Sequence, residues 1–291
     1  MRPAAFDYLR PTAVAEAVRG ISGSDGAFFY AGGTELLLAL KMRVLRADRL
    51  IDLKRIPQLD RIALSERGEL TIGARATHRQ IEESALVQQV LPALGRLCSQ
   101  VANIRVRSVG TIGGNLCFAE PHADPGTFLA ALGARLHLVG AQGERMVAAD
   151  EFVLGEFETA RRDDELLSHI VIPAQAGPSA YRRFRHGERP SVGVGVSWRL
   201  AKGGRTIETA RIRFGALGPR PQAVEALEQA LGGVETAKAS GRIAELLPHA
   251  LDALEVISDR HGGADYKRHL AATLLQRCIA DAHQAALGGR P

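Results

Sequence analysis

Cysteine, aromatic residues and long apolar runs are all in short supply in this chain, and each shortage removes a class of function. Only three of 291 residues are cysteine: Cys98, Cys117 and Cys278, widely spaced and never as a Cys-x-x-Cys pair. That excludes a disulfide framework and supports neither a zinc nor an iron–sulfur site, so no metal ligands are assigned. No run approaches the roughly 20 apolar residues of a spanning helix. The opening MRPAAFDYLRP has no apolar stretch long enough for a signal peptide, and the chain is predicted to be soluble and cytoplasmic, with no membrane span. Aromatics make up 5% of the chain, and the bases behind its net charge of +5 are interspersed with acids, as in LKMRVLRADRLIDLKR. No stacking platform for bases is visible, so nucleic-acid binding is not supported. A Walker loop is missing too, because no Gly-Lys-Ser/Thr follows either glycine pair. Ordinary Rossmann binding is excluded by Trp198, which stands where Gly193-Val194-Gly195 would need its third glycine.

What the chain has in quantity is core-forming residues, 46% hydrophobic, enough for about two domains. PTAVAEAVRGI places Val14, Ala17, Val18 and Ile21 on one helical face behind a Thr12 cap, and GAFFYAGGTELLLAL carries a strand through a glycine turn into a helix. RLIDLKRI and GELTIGARAT read as strands, and Thr77 and Gln80 have capping-box spacing. Val87, Val90, Leu94, Leu97 and Val101 recur at helical spacing and predict a core-facing stripe. A hairpin is predicted with its turn near Gln142-Gly143, and a domain boundary near residues 174 to 179. Beyond it, AYRRFRH, VGVGVSWRLA and TIETARIRFGAL predict three strands, and the remainder helices, an α+β pattern.

Two segments share a design: YAGGTELL, Tyr30 to Leu37, and GTIGGNLC, Gly110 to Cys117. Each sets a Gly-Gly pair beside a threonine, so that bare N–H groups and short polar side chains can converge on an anion such as a diphosphate. Either pair alone can also be a tight turn. Asp124 is an acceptor suited to sugar or ribityl hydroxyls, and equally a helix start with Pro125. Gly193 and Gly195 leave space for a flavin ring, or simply for packing against a helix. His122-x-Asp124 is half of a metal site at most, and Cys117, lacking an orienting base, reads better as a small filler than as a nucleophile.

AGGTELL, TIGGNLCFAEPHADP, LIDLKRIPQL, LTIGARAT and the C-terminal DYKRHLAATLLQRCIADA, in this order, resemble the FAD-binding medium subunit of the xanthine dehydrogenase and carbon monoxide dehydrogenase family of molybdenum hydroxylases. The resemblance implies an α+β protein. A two-lobed FAD-binding domain similar to p-cresol methylhydroxylase would span 1–176, with lobes at about 1–56 and 57–176. A smaller C-terminal domain, a three-stranded sheet plus helices, would span 177–291.

By motif match, Tyr30, Ala31, Gly32, Gly33, Thr34, Glu35 and Leu36 together with Thr111, Ile112, Gly113, Gly114 and Asn115 would wrap the diphosphate and adjoining sugar, with Asp124 as a further contact. The resemblance also puts Leu166 and Arg183 near the isoalloxazine. It assigns no catalytic side chain. The implied partners are a large subunit with a molybdenum cofactor and a small subunit with [2Fe-2S] clusters, in a dimer of heterotrimers. The implied flavin passes electrons to NAD+, a quinone or O2. Two rival readings stay open: a self-contained FAD oxidoreductase of the p-cresol methylhydroxylase type, and a flavin-free assembly subunit that keeps the fold.

Overall fold

The structure is a computed structural model that describes residues 2–187 and 189–288. Near the N-terminus, β1 (Asp7–Leu9), β2 (Ala27–Tyr30) and β3 (Arg49–Asp52) form a parallel sheet in the order β1-β3-β2. The helix Val14–Ile21 buries Ala17, Val18 and Ile21 against Ile51. Its N-cap is Ala13 rather than Thr12, and the Glu16 carboxylate instead reaches back to the Thr12 N–H at 2.8 Å.

A second sheet is built from β4 (Ile62–Leu64), β5 (Leu70–Gly73), β6 (Arg135–Gly140) and β7 (Gly143–Ala148); after the small hairpin β8 (Val153–Gly155) and β9 (Glu158–Thr159), β10 (Leu166–Ile172) inserts into its centre. The order β4-β5-β10-β6-β7 is antiparallel throughout. Gly140 pairs with Gly143, so the β6–β7 turn falls where the sequence puts it. Thr77 and Gln80 exchange both capping-box hydrogen bonds, at 3.1 and 2.8 Å. The stripe from Val87 to Val101 is not one helix. Pro92 cannot donate to the helical ladder and disfavours helical backbone at Leu91, so the chain breaks into Ala85–Val90 and Pro92–Ser99. Val87, Leu94 and Leu97 stay buried while Val90 turns outward, 39% exposed.

The third sheet, β11 (Ser179–Arg185), β12 (Pro190–Leu200) and β13 (Ile207–Gly215), is an antiparallel meander. The helices Glu225–Leu231, Ala239–Ala250 and Ala264–Ala286 follow it. Trp198, Phe214, Leu275 and Ile279 lie in their common core, each fully buried. Among the described residues, no helix is long and apolar enough to cross a membrane.

One helix joins the second and third units. Asp124–Ala131 is buried at most of its positions and packs across β12 and β13. A Cβ on Gly195 would stand 3.0 Å from the Ala131 methyl, and one on Gly215 would overlap the Thr127 hydroxyl. Ser197 Oγ donates to the Ala131 carbonyl at 2.6 Å. Phe128 and Leu129 are fully buried, contributing about 1.5–3 kcal/mol apiece by leaving water. Gly195 therefore serves helix packing, and Gly193 makes room for the Tyr181 hydroxyl rather than for a ring of a ligand.

Candidate functional site

The first segment begins at Tyr30, the last residue of β2, and runs on through residues 31–36. Gly33 has φ of +71°, a left-handed backbone that side chains rarely adopt, and its open Cα face is covered by the Tyr30 ring. That ring carries Lys54 Nζ 3.9 Å from its centroid. Nearby, the Tyr8 hydroxyl donates to buried Asp52 at 2.5 Å, and burial together with that bond pushes the phenol up to about 12. Among the described residues, no hydrogen bond engages the N–H groups of Gly32, Gly33 or Thr34. Consecutive amides alternating through a left-handed residue make a concave set of donors, suited to an anion. Ala31 and Leu36 flank this nest with partly buried apolar contacts, and Glu35 precedes the helix Leu36–Met42.

The second segment is not a nest. Thr111 caps a helix, Ile112–Phe118, and accepts the Gly114 N–H at 3.1 Å. Ile112 N–H bonds to Ala76, Gly113 N–H to Ala74 and Asn115 N–H to Thr111, at 3.0, 2.8 and 3.0 Å. All four amides are therefore committed, which corrects the picture of two matched donor loops. The two glycines divide the work. A Cβ on Gly113 would meet Ala74 Cβ at 2.5 Å and its carbonyl oxygen at 2.6 Å, so that position lets the helix touch the turn that follows β5. Gly114 is exposed, and among the described residues the one neighbour within 4 Å of a Cβ there is its own cap, Thr111 Oγ1, at 2.8 Å. Asn115 Oδ1 is buried without a partner.

The two segments lie against each other. A Cβ on Gly32 would overlap the Val109 carbonyl oxygen and come within 2.9 Å of Gly110 Cα, while one on Gly110 would lie 3.5 Å from Thr34 Oγ1. Beneath the junction, His78 N–H donates to Gly110 at 3.0 Å, and burial beside Arg107 lowers its imidazole to about 4, so it is neutral. This close approach of backbones adds Val109 to the junction, a residue outside both glycine segments of which the side-chain pattern carries no signal.

Asp124 opens the connecting helix, preceded by Ala123, and makes no capping bond. Its carboxylate accepts from Tyr181 at 2.7 Å and from Arg183. Burial pushes that carboxyl up while Arg183 and Tyr181 pull it back, and burial beside Asp124 drives the Tyr181 phenol well above its usual range. Arg183 also donates to the Gln100 carbonyl and is 9% exposed, so its cation is held in place. Leu166 is 1% exposed and packs with the core of the first sheet. Cys117 behaves as a filler: burial pushes its thiol up to about 11, leaving almost no thiolate near neutrality. His122 binds carboxylates, and no group of three metal-ligating side chains occurs among the described residues. Arg189, between β11 and β12, bridges Glu35 at 2.7 Å and Glu120 at 3.3 Å. It pairs across 154 positions with Glu35, a separation at which no local pattern operates.

Two α+β units that touch where three amides lack acceptors, beside a helix N-terminus with adjacent glycines, make an arrangement suited to a nucleotide cofactor. Residues 4–175 match the model for the FAD binding domain in molybdopterin dehydrogenase, and residues 179–282 match the CO dehydrogenase flavoprotein C-terminal domain. The chain is 31% identical over 291 residues to caffeine dehydrogenase subunit beta of Pseudomonas sp. (strain CBB1), covering 97% of this chain and 96% of that protein. It is 33% identical over 284 residues to the carbon monoxide dehydrogenase medium chain of Hydrogenophaga pseudoflava, covering 96% and 97%. The structure of quinoline 2-oxidoreductase from Pseudomonas putida 86 superposes with a TM-score of 0.88 at 30% identity, covering 99% of this chain and 100% of that one. The chain belongs to the family of FAD-binding oxidoreductase subunits of the molybdenum hydroxylases.

Proposed function

We propose that this chain carries FAD as the electron-transfer subunit of a molybdenum hydroxylase complex. It takes electrons from [2Fe-2S] clusters on a small partner subunit and delivers them to NAD+, a quinone or O2. The observation that carries the reading is the pair of facing segments. Among the described residues, three adjacent amides at Gly32, Gly33 and Thr34 lack acceptors, and in the segment that abuts them at Val109 and Gly110, Gly114 is exposed and Asn115 Oδ1 has no partner. In this reading the nest binds the diphosphate, while Gly114 and Asn115 receive the adjoining sugar. A Cβ at Gly114 would stand in the ligand's way, and Asn115 Oδ1 would gain the hydroxyl donor it lacks.

Bound flavin supplies chemistry that accepts electrons singly and releases them as a pair. The chain's own residues bind and orient. Arg183, held by Asp124 and the Gln100 carbonyl, would supply a fixed cation toward the isoalloxazine, and buried Leu166 packs in the first lobe. No side chain is assigned a proton-transfer role. Oxidation of the substrate belongs to a large subunit with a molybdenum cofactor. Three unpaired cysteines fall short of the four thiolates that a single [2Fe-2S] cluster takes, which supports placing the clusters on a partner. The assembly we propose is a dimer of heterotrimers.

An absorbance spectrum of the purified chain, before and after adding FAD, tests the reading. It is expected to show a flavin spectrum at about one FAD per chain, with FAD identified by chromatography after release. A colourless protein that refuses FAD both alone and co-expressed with its partner subunits would overturn it. Flavin turnover of a small substrate without any molybdenum partner would favour the self-contained oxidoreductase.

A further inference from the structure

A chain of charged side chains runs through all three sheet-bearing units. It starts at Glu35 in the first segment and passes through Arg189 to Glu120, in the turn between the helix bearing Gly114 and the one bearing Asp124. Glu120 Oε1 lies 3.0 Å from His122 Nδ1, and His122 Nε2 lies 3.0 Å from Asp259 Oδ2, which belongs to the C-terminal unit. Asp259 Oδ2 accepts from Lys267 Nζ at 2.7 Å; Lys267 is fully buried in the last helix and also donates to the Ile257 carbonyl at 3.0 Å.

The centre of this chain has only one satisfactory protonation state. Carboxylate oxygens accept and do not donate, and a neutral imidazole has a single N–H. With a carboxylate 3.0 Å from each ring nitrogen, a neutral ring would aim a lone pair at an anion. Only the imidazolium donates to both. His261, whose ring centroid lies 4.5 Å away, does not compete: its Nε2 accepts from Arg260 at 3.1 Å, as a neutral ring does.

We infer that the His122 imidazolium is a positioning group that ties the two cofactor-binding segments to the C-terminal domain, so that FAD is held tightly while this ring keeps its proton and is released as it loses it. The inference rests on reading the cleft as the FAD site. Without the proton, Glu120 and Asp259 face each other across a neutral ring, and Arg189 loses the fixed Glu120 against which it braces Glu35. The segments then spend part of their time apart, and apparent affinity falls by the fraction of time the cleft is formed.

The sign follows from the surroundings. The bonds to Glu120 and Asp259 raise the His122 pKa above the ordinary imidazole value, outweighing burial. Glu120 is held below the usual carboxylate range and Asp259 at about 2, so both stay charged as His122 titrates. His261 is pushed below the histidine range by burial and by His122 itself. The contribution is therefore complete below about pH 6.5 and is lost as pH rises through the higher folded value.

The test measures FAD affinity of the full chain by flavin fluorescence at intervals from about pH 5.5 to pH 9.5, a span covering the ordinary and the raised imidazole pKa. The parent chain, His122→Gln and Asp259→Asn are compared. The parent is expected to lose affinity on the order of tenfold in a single-proton step. His122→Gln should be weak and flat, and Asp259→Asn should show its step at lower pH. A flat parent profile, or a step that persists in His122→Gln, overturns the proposal.

Thermal melting of the same proteins without FAD separates this outcome from failure of the cofactor reading. The stability gap between parent and His122→Gln should close as pH rises, whether or not FAD binds, and a gap independent of pH overturns the latch on its own.

Discussion

Alanine at Gly113 is expected to cost the fold about 1–3 kcal/mol, whereas valine at the adjacent Gly114 should leave it folded but weaken its hold on FAD. The difference lies in what each new Cβ meets. At position 113 it would be driven into Ala74, whose Cβ and carbonyl oxygen lie 2.5 and 2.6 Å away, and neither backbone can yield without breaking the Gly113 N–H bond to that same residue. At position 114 the protein neighbour is one hydroxyl, the buried Thr111 cap, whose Oγ1 would lie 2.8 Å from the new Cβ and must shift, while the helix gains a better helix former than glycine. Loss of FAD with an unchanged urea midpoint of the FAD-free variant is steric conflict with the ligand, whereas a lowered midpoint is loss of the Thr111 cap.

Urea unfolding of the FAD-free proteins reads the first effect as a lower midpoint for Gly113→Ala with unchanged slope. Flavin retention reads the second: Gly114→Val should weaken binding by at least about tenfold, a penalty of roughly 1.4 kcal/mol. Normal FAD content in Gly114→Val would remove the second segment from the proposed site.

Asp124→Ala should be among the most damaging single changes in the chain, lowering stability by about 3–5 kcal/mol, because it leaves a buried cation without its partner. Arg183 is 9% exposed and Asp124 4%, so little water is available to replace the carboxylate. The Tyr181 hydroxyl would lose its acceptor as well. Asp124→Asn keeps an acceptor for Tyr181 and should lose less. Denaturant unfolding of both variants checks the order, and equal stability of Asp124→Ala and the parent would show that this triad does not hold the C-terminal sheet against the connecting helix. Arg183→Met with Asp124→Leu should recover part of the loss, since apolar replacements leave no charge stranded.

Much of the fold was legible because its signals are local. The Thr77–Gln80 capping box, the β6–β7 turn and the three C-terminal strands follow from backbone sterics and side-chain alternation within a few residues, and they appear where the pattern places them. The same logic misled at Val90, where apolar periodicity ran on past a proline that stops the helix. It misled again at Thr111–Asn115. A glycine pair looks alike whether its amides are free or bonded, and only contact with residues 74 and 76 shows that this set is bonded.

The α+β class, the lack of paired cysteines for an iron–sulfur cluster and the two glycine motifs that carry the family resemblance are all readable in the residue order. These are properties of composition and short spacing, and short-range sterics are enough to read them. Only tertiary packing set Gly113 against the backbone of Ala74 and left Gly114 exposed. It also spent the Asp124 carboxylate on Tyr181 and Arg183, and strung Glu35, Arg189, Glu120, His122, Asp259 and Lys267 into one chain. Those partners stand up to 154 positions apart. At such separations contact is set by how sheets and helices pack, and charge and hydrogen bonding act only across the few ångströms that packing has already closed.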